Sequence, residues 1–325
     1  MSVQLRRISV DRADALSPAE FREKYEQPGK PVLITNGLAW AAFEHWTHEW
    51  FKQSFGDIDI ELSVNPTHTL KVVKMKLGVY IDRILSDKGM SGGLYLDQFP
   101  LDRIPSLRKD FDFPPYCKLG REIRPHLWIG PGTTVLSFHK DNHSPVVPID
   151  NIFVQIRGKK RIILASPEDD AFMYPRSAEE GASWHSQVNP EAPDFSQFPL
   201  FANALLQEAV LGPGDILYIP RDYWHYVRAL EPSISMSFWW IPFRLSEIWS
   251  KISLLSDPEF EKMRITDRLK IDSSDLVEFG GVARLAAVFG EMKGSLAGAI
   301  PWDRLMSVSD DVARATFESL LAQQI

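Results

Sequence analysis

The pattern of apolar and polar positions changes twice along the chain and predicts three regions. Up to about residue 120, segments with helical spacing alternate with short runs of strand character. From His126 onward, short apolar runs are separated by glycine and proline turns, and after Pro242 apolar residues return at helical spacing. We therefore expect N-terminal α/β elements over residues 1–120, a β-rich core over 121–243 and a C-terminal helical region over 244–325.

The first region carries local signals for several elements. Ser17-Pro-Ala-Glu20 has the capping-box spacing with proline at the first helical position, so a helix is predicted from Pro18 to Gln27. We expect the elements of this region to flank the core rather than to build it. Apolar spacing predicts two further helices, Thr47–Phe55 and Leu77–Leu85, and three strands, Val32–Thr35, Ile58–Val64 and Leu94–Leu96.

The second region has the pattern of a β-sandwich or closed barrel, because many short strands with glycine and proline turns are typical of those folds. A long segment, Ser166–Glu208, interrupts the strands. We expect it to pass over the barrel mouth, where it would shape a substrate site. The fold class is therefore mainly β with flanking helices. The predicted strands are Leu127–Ile129, Thr133–His139, Ile152–Ile156, Arg161–Ala165, Ile216–Ile219, Trp224–Ala229 and Ile234–Ile241.

Composition narrows the class of protein. The 325 residues carry a net charge of -7, so a partner bound mainly through nucleic-acid phosphates is not expected. Cys117 is the single cysteine, which excludes an intrachain disulfide and a cysteine-based metal cluster. No apolar run is long enough to span a membrane, and the N-terminus lacks the apolar core of a signal peptide. We expect a cytoplasmic protein that is neither exported nor bound to membranes.

The candidate chemistry lies on two of the predicted strands. His139 and Asp141 are two residues apart on an extended segment, so their side chains are expected on one face. His225, on a strand beyond a Gly-Pro turn, is the candidate third ligand. Two histidines and one carboxylate with open positions opposite are the ligands of non-haem Fe(II) oxygenases. Taken singly, a His-x-Asp pair is unspecific, and a histidine between Trp224 and Tyr226 is more often a packed structural residue.

A basic turn follows the third predicted core strand. Lys159, Lys160 and Arg161 come directly after the run Asn151–Gly158 and form either a solvated hairpin turn or a cation site. A cation is what an oxygenase of this kind requires to bind the distal carboxylate of 2-oxoglutarate.

Five motifs in order along the chain carry a resemblance to a known family. They are His139-Lys-Asp141, Asn151-Ile-Phe-Val-Gln-Ile-Arg-Gly-Lys-Lys160-Arg, Gly212-Pro-Gly-Asp-Ile-Leu-Tyr-Ile-Pro220, Trp224-His225 and Ser235-Met-Ser-Phe-Trp239. Together they resemble the JmjC/cupin-like Fe(II)- and 2-oxoglutarate-dependent oxygenases, and most of all the hydroxylase branch that includes factor inhibiting HIF. The resemblance covers roughly Ser17 to Trp240 and implies a double-stranded β-helix, or jelly-roll, core.

The resemblance also implies roles for residues of this chain. His139, Asp141 and His225 match the Fe(II) ligands, and Lys160 matches the lysine that pairs with the 2-oxoglutarate carboxylate. Two further groups follow from the same matching. The cosubstrate pocket would be lined by Asn151, Phe153 and Trp239, with Tyr95 bonding the same carboxylate. Trp184 and His185 fall where relatives contact a peptide substrate, although core packing of Trp184 is an equal alternative.

This chain departs from the family pattern at three places. Six extra residues lie within Asn142–Asp150, between the metal carboxylate and Asn151, and we expect this loop to influence substrate choice. Position 136 is leucine where relatives usually carry threonine or serine for a 2-oxoglutarate contact. Ser237 stands where the hydroxylases often have asparagine.

The implied activity is hydroxylation of a C–H bond, with 2-oxoglutarate and O2 converted to succinate and CO2. A protein or peptide side chain is the implied substrate class, and a small metabolite stays open. N-demethylation by the same chemistry is one alternative. A cupin-type protein that binds a metal or ligand without oxidation is another, and Leu136 with the 142–150 loop favours it.

The C-terminal region generates a prediction about assembly. Leu245, Ile248, Trp249, Ile252 and Leu255 form an apolar stripe, with further helices predicted over Ser273–Phe289 and Ser309–Ala322. Such stripes bury little surface in an isolated appendage, so packing on the barrel or a homodimer through these helices is expected. If the helices form the homodimer, light scattering at micromolar concentration gives the mass of a dimer; if they pack on the barrel, it gives that of a monomer. A monomeric mass would contradict the dimer.

Overall fold

The computed structural model describes residues 5–65, 71–86, 93–117, 124–144, 147–177 and 184–240. The chain divides into two compact units. The first comprises residues 1–118, 122–142 and 149–240, and contains nearly all of the described elements. The second comprises 119–121, 143–148 and 241–325. The predicted C-terminal helices and the dimer they would form lie outside the described residues, and the predicted boundaries at 120 and 243 stay predictions.

Strands outnumber helices in the described part, as expected for a mainly β chain. The α-helices are α1 (Pro18–Phe21), which a π-helical stretch over Arg22–Glu26 continues, α2 (Ala42–His45), α3 (His48–Phe55) and α4 (Leu77–Leu85). The strands of the N-terminal region are β1 (Arg6–Ser9), β2 (Asp11–Asp14), β3 (Val32–Thr35), β4 (Asp59–Val64), β5 (Val72–Lys76) and β6 (Leu94–Pro100). Those of the core region are β7 (Arg124–Gly130), β8 (Val135–His139), β9 (Asn142–Ser144), β10 (Val147–Pro148), β11 (Asp150–Arg157), β12 (Lys160–Ala165), β13 (Leu205–Leu211), β14 (Ile216–Ile219), β15 (Trp224–Ala229) and β16 (Ser233–Trp240).

Two sheets form the jelly-roll core that the sequence predicted. The minor sheet has the order β1-β13-β12-β15-β8, and the major sheet has the order β2-β3-β14-β11-β16-β7-β6-β4-β5. One apolar cluster joins them, since Phe153 and Leu217 of the major sheet contact Ile162 and Val227 of the minor sheet. The inner faces of the two sheets therefore enclose the interior in which the candidate ligands were predicted.

The N-terminal helices cover the outer face of the major sheet, whereas β2 to β6 extend that sheet and β1 joins the minor sheet. Ser17 caps α1 by accepting the N–H of Glu20, and the Glu20 carboxylate accepts the N–H of Ser17, which is the predicted capping box. Trp46 is fully buried among these elements, and its indole donates to Asp110 at 2.9 Å. The helical layer is thus built from local signals and is anchored by aromatic burial.

The insertion is shorter than predicted. Its last predicted residues belong to β13, which pairs with β12. Its side chains Met173, Val188 and Phe201 pack on the outer face of the minor sheet, whereas His185 bridges His139 of β8, and passage over the barrel mouth stays a prediction.

The β13 strand escaped prediction because its apolar residues do not alternate cleanly. Leu206 faces the insertion and Ala209 faces the interior, whereas the apolar Val210 is exposed.

Within the described ranges, no helix combines the length and the apolar character that crossing a membrane requires.

Gly158 generates a prediction about the β11–β12 turn that precedes Lys160. Its φ is +69°, and a methyl group there would overlap the carbonyl oxygen of Pro232. Gly29 is a matched control, because its φ is +63° and a methyl group would meet nothing within 4 Å. Gly29→Ala is expected to lower the free energy of unfolding by about 1 kcal/mol, the cost of the left-handed conformation. Gly158→Ala should lower the free energy of unfolding, measured by urea denaturation, by at least twice as much. Equal losses in the two variants would contradict the close approach of Gly158 to Pro232.

Candidate metal centre and cosubstrate pocket

Pairing of β15 with β8 brings the two predicted histidines together. His225 and His139 are directly opposite each other in this antiparallel pair. Their ring centroids lie 4.1 Å apart. Residues distant in sequence are thus fixed by backbone register, as the predicted Gly-Pro hairpin required.

A bulge in β8 decides which of its side chains face the interior. His139 pairs with His225 and Leu136 pairs with Val227, so β8 has one residue more than β15 over this stretch. Leu136 consequently contacts the interior cluster although it is three residues from His139. The position of Leu136 in the interior therefore depends on the bulge. Simple alternation along the strand would have placed Leu136 on the opposite face from His139.

Backbone carbonyls orient both imidazoles. His139 Nδ1 lies 2.8 Å from the carbonyl oxygen of Ser137, and His225 Nδ1 lies 3.3 Å from that of Tyr223. A carbonyl oxygen can only accept, so Nδ1 carries a proton in each ring, and in the neutral form of each ring the lone pair is on Nε2. This is how metal-binding histidines are commonly held.

Asp141 lies just after β8 and is held by two donors. Asn151 Nδ2 and Trp239 Nε1 both donate to its Oδ2, at 2.8 and 2.9 Å. Its Oδ1 is 3.9 Å from His139 Nε2 and 3.5 Å from His225 Nε2. One carboxylate oxygen is therefore occupied by the protein, and the other faces the two imidazoles.

The electrostatics of the three side chains are those of a cation site. Burial, together with the neighbouring His225, lowers the pKa of His139 to about 3. Burial acts against ionisation of Asp141, but the two imidazoles and Asn151 lower its pKa below the ordinary value. The pKa of His225 is raised: burial lowers it, and the Asp141 carboxylate more than compensates. The site thus keeps an ionised carboxylate beside a neutral imidazole, the protonation states that metal ligands need.

The geometry fits a divalent metal ion. One ligand atom each from His139, Asp141 and His225 lie within 4.8 Å of one another. Two nitrogens and one carboxylate oxygen suit Fe(II) in an oxygenase site with open positions. These residues would hold the metal; Asn151 and Trp239 would orient its carboxylate ligand, a role that the resemblance did not give them.

Lys160 is buried in the interior of the core. Its side chain begins β12, is 1% exposed, and donates to the hydroxyls of Tyr95 at 3.0 Å and Ser235 at 2.8 Å. The ammonium also lies 5.1 Å from the ring centroid of Phe153. Among the residues that the structure describes, no carboxylate lies within ion-pairing distance of it. Burial lowers its pKa to about 7. A buried cation of this kind fits an anionic ligand, such as one carboxylate of 2-oxoglutarate.

Sequence reasoning missed Ser235 and Trp128. The ring of Trp128 lies 5.8 Å from that of Tyr95 and 6.0 Å from that of Trp239, two residues that were predicted to line the pocket. A signal existed in β16, where Ser233, Ser235 and Ser237 alternate with Ile234, Met236 and Phe238. Polar residues at every second position of a buried strand indicate that one face lines a polar cavity.

The two residues proposed from the insertion lie at the metal-proximal end of β8. His185 forms an isolated antiparallel bridge with His139, and their rings lie 5.7 Å apart. The carbonyl oxygen of Trp184 accepts the N–H of Lys140 at 2.9 Å. Their role in substrate binding stays a prediction.

Comparison with known proteins gives the family. The sequence profile of the cupin-like domain family matches residues 18–245. The chain belongs to this family. "Lysine-specific demethylase 8" of Danio rerio is 38% identical over 71% of this chain. "Jumonji C domain-containing protein 5" of Drosophila melanogaster is 32% identical, and "Lysine-specific demethylase JMJ30" of Arabidopsis thaliana is 34% identical, each over 71% of this chain.

These matches support the JmjC type of oxygenase within the cupin-like family. Fe(II), 2-oxoglutarate and O2, the predicted cofactors, are the cofactors of that type, and the three-residue cluster fits them. The matched region spans 58%, 59% and 54% of the three relatives in the order given.

Burial of Lys160 generates a prediction about proton uptake. With a pKa of about 7, Lys160 is largely neutral at higher pH, yet an anionic carboxylate requires the ammonium form. Titration of 2-oxoglutarate into the Mn(II)-loaded protein at about pH 8 should therefore take up close to one proton, and little at about pH 6. Calorimetry in buffers of different ionisation enthalpy measures this proton uptake. Lys160→Arg keeps its charge throughout and should abolish the uptake; uptake unchanged in that variant would contradict the assignment.

The Trp239 hydrogen bond generates a prediction about metal affinity. Trp239→Phe removes one of the two donors to Asp141 and is expected to weaken Co(II) binding about tenfold. Trp240→Phe is a matched control, because Trp240 is buried and its indole nitrogen has no partner among the described residues. Absorption titration with Co(II) compares the two. Equal Co(II) affinities in the two variants would contradict the role of the Trp239 hydrogen bond in holding Asp141.

Proposed function

We propose that this chain is an Fe(II)- and 2-oxoglutarate-dependent oxygenase that oxidises a C–H bond of a protein or peptide side chain. The observation that carries the proposal is the combination of a His139, Asp141 and His225 ligand set with a buried Lys160 that has no carboxylate partner in the part of the chain that the structure describes. Histidines that only stabilise the fold would not need a buried lysine nearby, and a lysine that only binds an anion would not need a set of metal ligands nearby. Both belong to one enclosed interior, and the metal together with 2-oxoglutarate and oxygen supplies the oxidising chemistry there.

The protein side chains have distinct tasks in this proposal. Asn151 and Trp239 hold Oδ2 of Asp141, so this carboxylate offers a single oxygen and occupies a single ligand position. Lys160, supported by Tyr95 and Ser235, neutralises the distal carboxylate of 2-oxoglutarate. The rings of Trp128 and Phe153 exclude water from the reacting centre.

Two outcomes of the oxidation are distinguished by their products. Hydroxylation, which the resemblance to the branch of factor inhibiting HIF favours, leaves one oxygen atom on the side chain. N-demethylation follows when the oxidised carbon is an N-methyl group, which is then released as formaldehyde. The names of two relatives, both lysine-specific demethylases, favour this second outcome and make lysine side chains the first candidates.

A non-enzymatic cupin is the weaker alternative. Relatives usually carry a hydroxyl side chain at position 136. Leu136 of this chain has none, and its apolar side chain packs on the interior cluster. The Tyr95 and Ser235 hydroxyls beside Lys160 still provide polar contacts for a carboxylate. The anchoring of 2-oxoglutarate therefore does not depend on position 136.

Mass spectrometry of a peptide pool tests the proposal. The pool holds every standard side chain and N-methylated lysine, and the reaction contains Fe(II), 2-oxoglutarate and ¹⁸O2. Hydroxylation is expected to add one labelled oxygen to a peptide, whereas demethylation removes a methyl group and yields formaldehyde. His139→Ala should abolish either product. Wild-type protein that makes neither product nor succinate would contradict the enzyme proposal and leave the binding-protein alternative.

A further inference from the structure

The side chains of the first two residues of β11 leave opposite faces of the major sheet. Asn151 faces inward and donates to Asp141. Asp150 precedes it in the strand, so its side chain leaves the opposite face. It is completely buried, and neither the motifs nor the site assigned it a role.

Asp150 joins β14 to the turn that follows it. Its Oδ1 accepts the hydroxyl of Tyr218 and the backbone N–H of Arg221, both at 2.9 Å. Its Oδ2 lies 3.1 Å from Arg221 Nη2. A buried carboxylate with two hydrogen bonds and an ion pair fixes a backbone segment strongly, because charge-assisted contacts in a dry site are costly to break.

The fixed segment is the turn that leads into the His225 strand. The turn is closed by the N–H of Tyr223, which donates to the carbonyl oxygen of Pro220 at 3.2 Å. Asp222 within it has a φ of +66°, a left-handed conformation that a non-glycine residue keeps only where its surroundings enforce it. The next carbonyl, that of Tyr223, is the one that orients the His225 imidazole.

We propose that Asp150 is a positioning residue for His225. It holds the strained turn through the Arg221 backbone, the turn places the Tyr223 carbonyl, and that carbonyl aims His225 Nε2 at the metal position. Asp150 touches neither metal nor substrate, so it acts through His225. Together with Asn151, it makes the start of β11 the support of two of the three ligands.

Asp150→Asn tests this inference with little change in volume. The amide can still accept a hydrogen bond through its oxygen, but it loses the charge and presents N–H donors toward the Arg221 guanidinium. The matched control is Asp110→Asn, since Asp110 is also a buried carboxylate, 5% exposed, and holds the Trp46 indole in the helical layer. Neither residue belongs to the ligand set.

The measurement is Co(II) binding by the full chain, followed through the d–d absorption bands. Asp150→Asn is expected to weaken Co(II) binding about tenfold and to alter the band shape, by analogy with other residues that orient metal ligands. Asp110→Asn should bind Co(II) as the wild type does, even if urea denaturation shows an equal loss of stability. Tyr218→Phe removes a single donor to Asp150, conserves the fold more safely, and should produce a smaller shift in the same direction.

The outcomes separate this inference from the proposed function, on whose metal site it rests. Wild-type affinity and band shape in both Asp150→Asn and Tyr218→Phe would overturn the positioning role and leave the oxygenase proposal intact. Equal loss of Co(II) affinity in Asp110→Asn would also overturn it, because the effect would then be one of general stability. A wild-type protein that binds no Co(II) would remove the metal site and this inference together.

Discussion

The pairing of β15 with β8 is the constraint on which the candidate site depends. Backbone hydrogen bonds place His225 opposite His139, and a one-residue bulge in β8 lets Leu136 and His139 face the same interior. A register slip of one residue would turn the ligand to the other face of the sheet. The minor sheet is covered on its outer face by the insertion, so both faces are buried and the register is strongly specified.

The metal ligands and the buried lysine make different demands on the same interior. The ligand set needs polar neighbours that aim it, which Asn151, Trp239 and two backbone carbonyls provide. Lys160 needs a dry pocket with hydroxyl contacts and no competing carboxylate. The β11 and β16 strands meet both demands, because every second side chain of each faces the interior while the others pack in the outer apolar layer.

The sequence predicted the elements whose signals are local. Helix α4, with its apolar stripe, and β14 and β15, with their flanking turns, have the bounds that were expected. The polar strands β1 and β2 escaped prediction because they are mostly exposed and lack an apolar face. For the site, the ligand triad was predicted from residue types and resemblance. The hydrogen bonds from Asn151 and Trp239 to Asp141, and the contact between Ser235 and Lys160, were not. Such contacts depend on which strands are neighbours, and that is a property of the folded sheet rather than of any single segment.

The central claim about this protein is that a single interior binds Fe(II) and 2-oxoglutarate together. Anaerobic mixing of the purified protein with both ligands tests this claim most directly, because a bound iron and cosubstrate in contact give a visible charge-transfer absorption band. We expect a band that requires both ligands, that is absent in His139→Ala and that is weakened in Lys160→Met. A wild-type protein that shows no band at saturating concentrations of both ligands would contradict it.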